Sequence, residues 1–240
     1  MWAFFCRLCF FLSSAGLNLV SNKGYHHGDL KEGLIQAALG ILRKQGADAL
    51  SLRVIASEAG VSHMAPYSHF KNKKELFQAV AAKGFGELAD RMRVEGAQLE
   101  KAPDLILAYG VAYVEFAIDN PQLYRLMLGQ VENSGKRTVS GKRALETNTL
   151  GKNAQTKDIT IDVSIAKAEV SSALEVSSKR GFELLRSAFA MLGSDQAIAR
   201  ARALGAWSTV HGMAALILEG HFSIPSTMTT KEFLSMAAFQ

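Results

Sequence analysis

The feature that most constrains the fold of this chain is a pair of short amphipathic segments joined by the tight turn Ala59-Gly60-Val61. Apolar residues recur at helical spacing in the first segment, 51–59, and Ser51 is in position to cap it. Gly60 breaks that helix, and Ser62 can cap another short helix that runs to Phe70. Two short helices across such a turn form a helix-turn-helix.

The surrounding sequence is also helical in pattern. Apolar residues from Leu30 to Leu42 follow a helical period; Asp29 with Glu32 predicts a capping box before this helix, and Asn72 with Glu75 predicts the start of a fourth helix. The 240 residues include only four prolines. Apolar residues make up 48% of the chain, which excludes intrinsic disorder as its main state. We therefore expect an all-α protein of one or two domains.

Charge is distributed unevenly along the chain. Residues 23–83 hold nine Lys and Arg against five Asp and Glu, and residues 133–157 hold six against one. A basic N-terminal unit suggests a polyanionic partner, although a solvated basic surface would give the same count.

The helix-turn-helix suits double-stranded DNA. The second helix of such a pair fits the major groove, with the side chains near its N-terminus directed at base edges. Lys71, Lys73 and Lys74 follow it, where phosphates would lie. The pattern alone leaves open an αα-corner in a helical enzyme, because helical hairpins are common.

From Gly24 to Val80 the sequence resembles the N-terminal domain of the TetR family of bacterial transcriptional regulators. The resemblance depends on the ordered combination of Ala59-Gly60-Val61-Ser62, the run Tyr67-Ser68-His69-Phe70-Lys71-Asn72-Lys73, and Glu75-Leu76. It implies an all-α homodimer with a three-helix helix-turn-helix domain followed by a helical domain for ligand binding and dimerisation. It also implies two partners: operator DNA and a small-molecule effector.

The resemblance assigns roles to individual residues. Tyr67, His69 and Lys73 match phosphate-contacting positions, and all three side chains carry suitable donors. Ser51 matches a phosphate position and Arg53 one that reaches a base in some members. The expected DNA contacts are Ser51, Arg53, Ser62, His63, Met64, Ala65, Tyr67, His69 and Lys73, of which His63, Met64 and Ala65 match the base-reading positions.

Pro66 departs from the commonest family pattern. Proline lacks an N–H and crowds the carbonyl four residues back, which here belongs to Ser62. We expect the helix from Ser62 to Phe70 to persist, with its axis or start adjusted.

The C-terminal part predicts further helices. Pro103-Asp104 and Asn120-Pro121, with Asn120 as a cap, open two; a third runs from about Ile165 to Leu192, a fourth starts at Asp195 and a last follows Thr229. Trp207 and His211-Gly212 resemble the Trp-His-Gly signature of one TetR branch, and the last two helices are expected to form the dimer interface. The expected ligand contacts are Tyr109, Tyr113, Phe116, Met127, Trp207 and His211, with a core role open for each.

The remaining predictions concern domains and alternatives. Residues 1–23 are predicted to be an extension that is disordered or precedes the true start, 24–71 the DNA-binding domain, and 72–240 the ligand-binding and dimerisation domain with a flexible loop at 133–164. Cys6 and Cys9 supply only two of the four ligands that a structural zinc site needs. We expect no metal, cofactor or catalytic residue. We also expect no stable membrane association and a cytoplasmic location. The alternatives are a helical enzyme and a membrane-associated sensor anchored by residues 1–12.

Overall fold

The computed structural model describes residues 27–129, 160–193 and 195–237. All regular structure in these ranges is helical, which confirms the predicted all-α fold class. Short 3₁₀ helices lie at Ala47–Ala49 and Ala65–Ser68. The α-helices, in chain order, are α1 (His27–Gln45), α2 (Leu52–Glu58), α3 (Lys73–Gly96), α4 (Ala102–Asp119), α5 (Pro121–Met127), α6 (Thr160–Ala190), α7 (Gln196–Leu218) and α8 (Thr230–Ala237).

The N-terminal unit, which we call the head, consists of α1, α2 and the 3₁₀ helix Ala65–Ser68. Its core is made of fully buried aliphatic and aromatic side chains, among them Leu34, Leu42, Ile55 and Phe70. α1 also packs against α3 and α5. Two ion pairs, Lys83 with Glu32 and Arg43 with Glu87, join the surfaces of α1 and α3.

The C-terminal unit, which we call the body, is a bundle built around the long helix α3. α3 packs most extensively against α6 and also against α4, while α7 packs against both α4 and α6. α5 fills the space between α1, α3 and α4, and α8 covers α4. Because α3 packs against α1 of the head as well as against the helices of the body, a tilt of α3 would move the head.

Most of the predicted helix caps are confirmed. The Ser51 hydroxyl accepts a hydrogen bond from the Val54 N–H, and the Asn72 side chain accepts one from the Glu75 N–H. The Asp195 carboxylate accepts one from the Ala197 N–H. Thr229 and Glu232 form a reciprocal capping box before α8.

Three predicted caps are wrong. Ser62 does not cap the helix after the turn, because that helix begins at Ala65 and has no side-chain cap. Asp29 lies inside α1, which begins at His27, so it does not cap that helix. The Glu32 carboxylate instead accepts hydrogen bonds from Gln36 and Lys83. The Asn120 side chain does not cap α5, because its amide nitrogen donates to the Phe116 carbonyl and closes α4.

Some predictions fall outside the described residues. These are the extension 1–23, Cys6 and Cys9, and the part of the predicted loop that lies in 130–159. The end of that loop, 160–164, is helical and belongs to α6, so the loop prediction is wrong there.

Candidate nucleic-acid interface and inner cavity

The turn between α2 and the following helix has a defined backbone geometry. Gly60 adopts a positive φ of 70°, which favours glycine. The Val61 N–H donates to the Ala56 carbonyl and the Gly60 N–H donates to the Ser57 carbonyl. These two bonds form a Schellman motif, so α2 ends abruptly and the chain turns into the next segment.

The segment after the turn differs from the α-helix expected between Ser62 and Phe70. Only Ala65–Ser68 is helical, and it is a 3₁₀ helix. Pro66 has no N–H to give to the Ser62 carbonyl, and that carbonyl accepts instead from the Ala65 N–H at 2.9 Å. The tighter bonding pattern continues between Tyr67 and Met64. Proline at this position therefore shortens and tightens the helix.

The side chains predicted to contact DNA lie at the protein surface. Met64 and Tyr67 are 72% and 52% exposed. Pro66 and Phe70 are buried beneath them and hold the segment on the head. Of the predicted contacts, Arg53, Ser62, His63, Met64, Tyr67 and Lys73 are exposed, and Ser51, Ala65 and His69 are half-buried.

Hydrogen-bond donors flank the exposed segment. The Ser51 hydroxyl accepts from the Val54 N–H and can still donate its own hydrogen. The Lys73 ammonium lies 4.9 Å from the centroid of the Phe77 ring, which orients the lysine at the first turn of α3. The buried carboxylate of Glu75 accepts from the Lys71 N–H at 2.8 Å and fixes the loop between them. The surface thus combines apolar, hydroxyl and cationic groups.

A polar cluster lies inside the body. The Tyr113 hydroxyl is 2.9 Å from Nδ1 of His211 and 3.1 Å from the Tyr124 hydroxyl. The Tyr113 ring also packs edge-on against Trp207, with centroids 4.9 Å apart. The cluster joins α4, α5 and α7. Tyr124 is not among the predicted ligand contacts, because its place in the cluster depends on a contact with His211, a residue far away in the chain.

Burial keeps the two tyrosines of this cluster uncharged. It raises the pKa of the Tyr113 and Tyr124 hydroxyls above their ordinary values, so both stay protonated at neutral pH. The protonated Tyr113 hydroxyl can donate to Nδ1 of His211. The three side chains thus form one hydrogen-bonded network in the body.

A narrow cavity of about 10 Å³, room for about one water molecule, lies next to the cluster. No polar atom faces it. Tyr109, Tyr113 and Trp207 of the predicted ligand contacts line it, whereas His211, Phe116 and Met127 do not. Met127 instead lines a groove of about 200 Å³ beside Lys74 and Phe77. The predicted ligand contacts are therefore not brought together around one cavity.

The described residues hold neither a metal-binding cluster nor a membrane-spanning helix. No cluster of three or more His, Cys, Asp or Glu side chains there is placed to hold a metal ion. None of the helices in those ranges is long and apolar enough to cross a membrane.

Two family models match the chain. Residues 34–80 match the model for bacterial regulatory proteins of the tetR family, and residues 159–237 match a tetracyclin repressor-like C-terminal domain. Together the two matches cover more than half of the 240 residues. The first contains the turn and the exposed segment, and the second contains α7 and α8.

The chain is similar to two curated regulators over part of their length. It is 27% identical over 107 residues to the HTH-type transcriptional regulator YobS of Bacillus subtilis, covering 45% of this chain and 56% of YobS. It is 48% identical over 54 residues to the nicotine-responsive transcriptional repressor HdnoR of Paenarthrobacter nicotinovorans, covering 22% of this chain and 28% of HdnoR. The matches thus span between about a quarter and just over half of these relatives.

A solved structure matches over nearly the whole length. A protein of unknown function from Rhodococcus sp. RHA1 is 26% identical, with a TM-score of 0.61, and the match covers 89% of this chain and 94% of that one. The matched head, the matched C-terminal domain and the shared overall fold agree with one another. The chain belongs to the tetR family of bacterial regulatory proteins.

Proposed function

We propose that this protein is a sequence-specific DNA-binding transcriptional regulator, and that it acts as a ligand-responsive homodimeric repressor in the bacterial cytoplasm. The observation that carries the proposal is the exposed segment after the Gly60 turn, where His63, Met64 and Tyr67 project from the head. The relatives YobS and HdnoR are named as a regulator and a repressor, and both are matched through segments of this chain.

The chemistry of the surface supports two kinds of DNA contact. Tyr67, Lys73 and the Ser51 hydroxyl supply donors for phosphate oxygens, which position a protein on the duplex. Arg53 can bond guanine in the major groove, and Met64 offers an apolar contact to a thymine methyl. Because the segment offers few polar groups to bases, DNA shape contributes to the specificity that we expect.

The outward face of α7 supports a homodimer. Leu204 and Leu216 are 57% and 46% exposed, and small residues, Ala201, Gly205 and Ser208, lie on the same face. No charged residue separates them on that face, so a second copy of α7 could approach closely and bury the two leucines. A two-fold dimer would present two heads to half-sites about 34–36 Å apart.

The polar cluster supports a route from ligand to DNA. Tyr124 on α5 takes part in the cluster, while Gln122, also on α5, lies beside Gly46 at the end of α1. A ligand that separates α4 from α7 would move α5 and change the position of the head. It must bind the two arrangements with different affinities to alter DNA binding.

We also propose that the protein belongs to the branch with the Trp-His-Gly signature. Trp207 and His211 lie one helical turn apart on α7, and both contact Tyr113. Gly212 follows directly, as the signature requires. The signature residues thus anchor α7 to α4.

Footprinting of the DNA beside the protein's own gene tests the proposal. We expect protection of a pseudo-palindrome, with affinity that falls steeply as salt concentration rises. Lys73→Ala should weaken binding to all sequences, whereas His63→Ala should change the preference at one base pair. Unchanged operator binding by both variants would contradict the assignment of this surface.

A further inference from the structure

The narrow cavity beside Trp207 abuts a wider, more open groove of about 530 Å³. The groove lies between the start of α4, the C-terminal end of α6 and the middle of α7, and α8 forms part of its rim. Ile106 and Ala206 line both spaces. Ile106 and Ala206 therefore separate the cavity from the groove.

The two spaces differ in chemistry. The cavity presents no polar atom, because the Tyr113 hydroxyl is turned to His211 and Tyr124. The groove is rimmed by polar side chains, Asp104, Arg202, Thr209 and Ser235, beside the apolar Leu107 and Phe189. A charged group would be costly in the cavity and well solvated in the groove.

From this arrangement we propose that the effector is a single-chain amphiphile. Its alkyl tail passes between Ile106 and Ala206 into the cavity, and its hydrogen-bonding head stays in the groove near Thr209 and Ser235. An unbranched alkyl chain suits the cavity because it is the slimmest apolar group and needs no polar partner. The inference rests on the proposed function, since it names the ligand class of that regulator.

The small size of the cavity explains how binding would be coupled to a change in shape. At about 10 Å³ the cavity holds no alkyl chain as it stands, so α7 must move away from α4 when the tail enters. The ligand would then bind only the expanded arrangement, which is the unequal affinity that a population shift requires. Expansion would also strain the bond between Tyr113 and His211, because these residues belong to α4 and α7.

Trp207 provides a direct reporter of the tail. The chain has two tryptophans, so Trp2→Phe in the full-length protein leaves Trp207 as the sole fluorophore. Probes are n-alkanols and n-alkanoates of increasing length, each with bromine at the tail end as a contact quencher. We expect saturable quenching, with affinity rising about three- to fourfold per added methylene until the cavity is full. A preference between the two series identifies the head group.

Two variants in the Trp2→Phe background test the position of the tail. Ala206→Leu fills the passage and should abolish the quenching and its dependence on chain length. Thr209→Val changes the groove only, and should alter the preference between alkanol and alkanoate while the quenching persists. Circular dichroism establishes that each variant is folded, and Ala206→Ser, which keeps the passage open, serves as a second comparison.

The outcomes separate this inference from the proposed function. Absent quenching in the parent protein, or equal quenching in Ala206→Leu, would overturn the amphiphile site even if operator DNA is bound. Saturable quenching that Ala206→Leu removes would support the site even if no operator is protected. Release of operator DNA by the same probes would support both.

Discussion

A Cβ atom on Gly96 would lie only 2.7 Å from Cε1 of Tyr109. The two residues bring the end of α3 against α4, and the ring cannot move aside easily because Tyr109 is buried. We expect Gly96→Ala to lower the free energy of unfolding by about 1–3 kcal/mol, as other overpacked cores do. Chemical denaturation followed by circular dichroism measures this loss.

The matched control is Gly40→Ala. Gly40 lies inside α1, and a Cβ there would meet no atom within 4 Å. Alanine in an open helical position should stabilise the protein by about 0.5–1 kcal/mol. If both alanines change stability in the same direction, the tight packing of α3 on α4 is not as described.

Removing the hydroxyl group of either of two tyrosines should distinguish an effect on stability from an effect on DNA binding. Tyr113→Phe removes the hydroxyl that bonds to both Tyr124 and His211, whose contact with each other is longer at 3.4 Å, at a cost of about 0.5–1.5 kcal/mol. Tyr67→Phe removes an exposed hydroxyl and should leave stability unchanged while it weakens DNA binding. Thermal melts and operator titrations measure the two effects, and a Tyr113→Phe variant as stable as the parent would contradict the network.

Local signals explain why much of the fold could be predicted from the sequence. The caps at Ser51, Asn72 and Asp195 each depend on a backbone N–H two or three residues away, so the pattern contains all the information needed. The Gly60 turn has the same local character. The helical spacing of apolar residues identifies the buried face of each helix in the head, and so also predicts which face is exposed.

The features that the sequence did not predict depend on contacts between residues far apart in the chain, or on competition between hydrogen-bond partners. The Tyr124 hydroxyl lies 3.4 Å from Nδ1 of His211, a residue 87 positions later in the chain. The Asn120 side chain could cap either the end of α4 or the start of α5. Its amide nitrogen donates to the Phe116 carbonyl and so caps the end of α4. Pro66 was expected to leave an α-helix intact, but the loss of one N–H is decisive in a segment of four residues.

The pair of Glu32 and Lys83 predicts how stability depends on pH. Hydrogen bonds from Gln36 and then Lys83 lower the pKa of Glu32 below its ordinary value of 4.5. A lowered folded-state pKa contributes stability that is present above pH 4.5 and is lost as the pH falls through the folded-state value. Because both side chains are nearly half exposed, the pair contributes only about 0.2–1 kcal/mol.

Glu32→Gln tests this contribution. We expect it to destabilise the protein slightly at pH 7 and by less at about pH 3, because protonation of the carboxyl group at low pH removes the charge that the substitution deletes. Urea denaturation at the two pH values gives the comparison. Glu58→Gln on the exposed end of α2 is the control. An equal loss at both pH values would mean that Glu32 acts through packing and not through its charge.

The exposed face of α7 predicts the oligomeric state. Leu204, at 57% exposure, would be buried between two copies of α7, so Leu204→Glu should place two carboxylates in an apolar interface and convert the dimer to a monomer. Operator affinity should then fall at least tenfold, because one head reads only one half-site. Val94→Glu on α3 is the matched control, since Val94 is 67% exposed and lies on another helix. Sedimentation velocity measures the mass of each variant, and a Leu204→Glu protein that remains dimeric would show that the copies associate through a different surface.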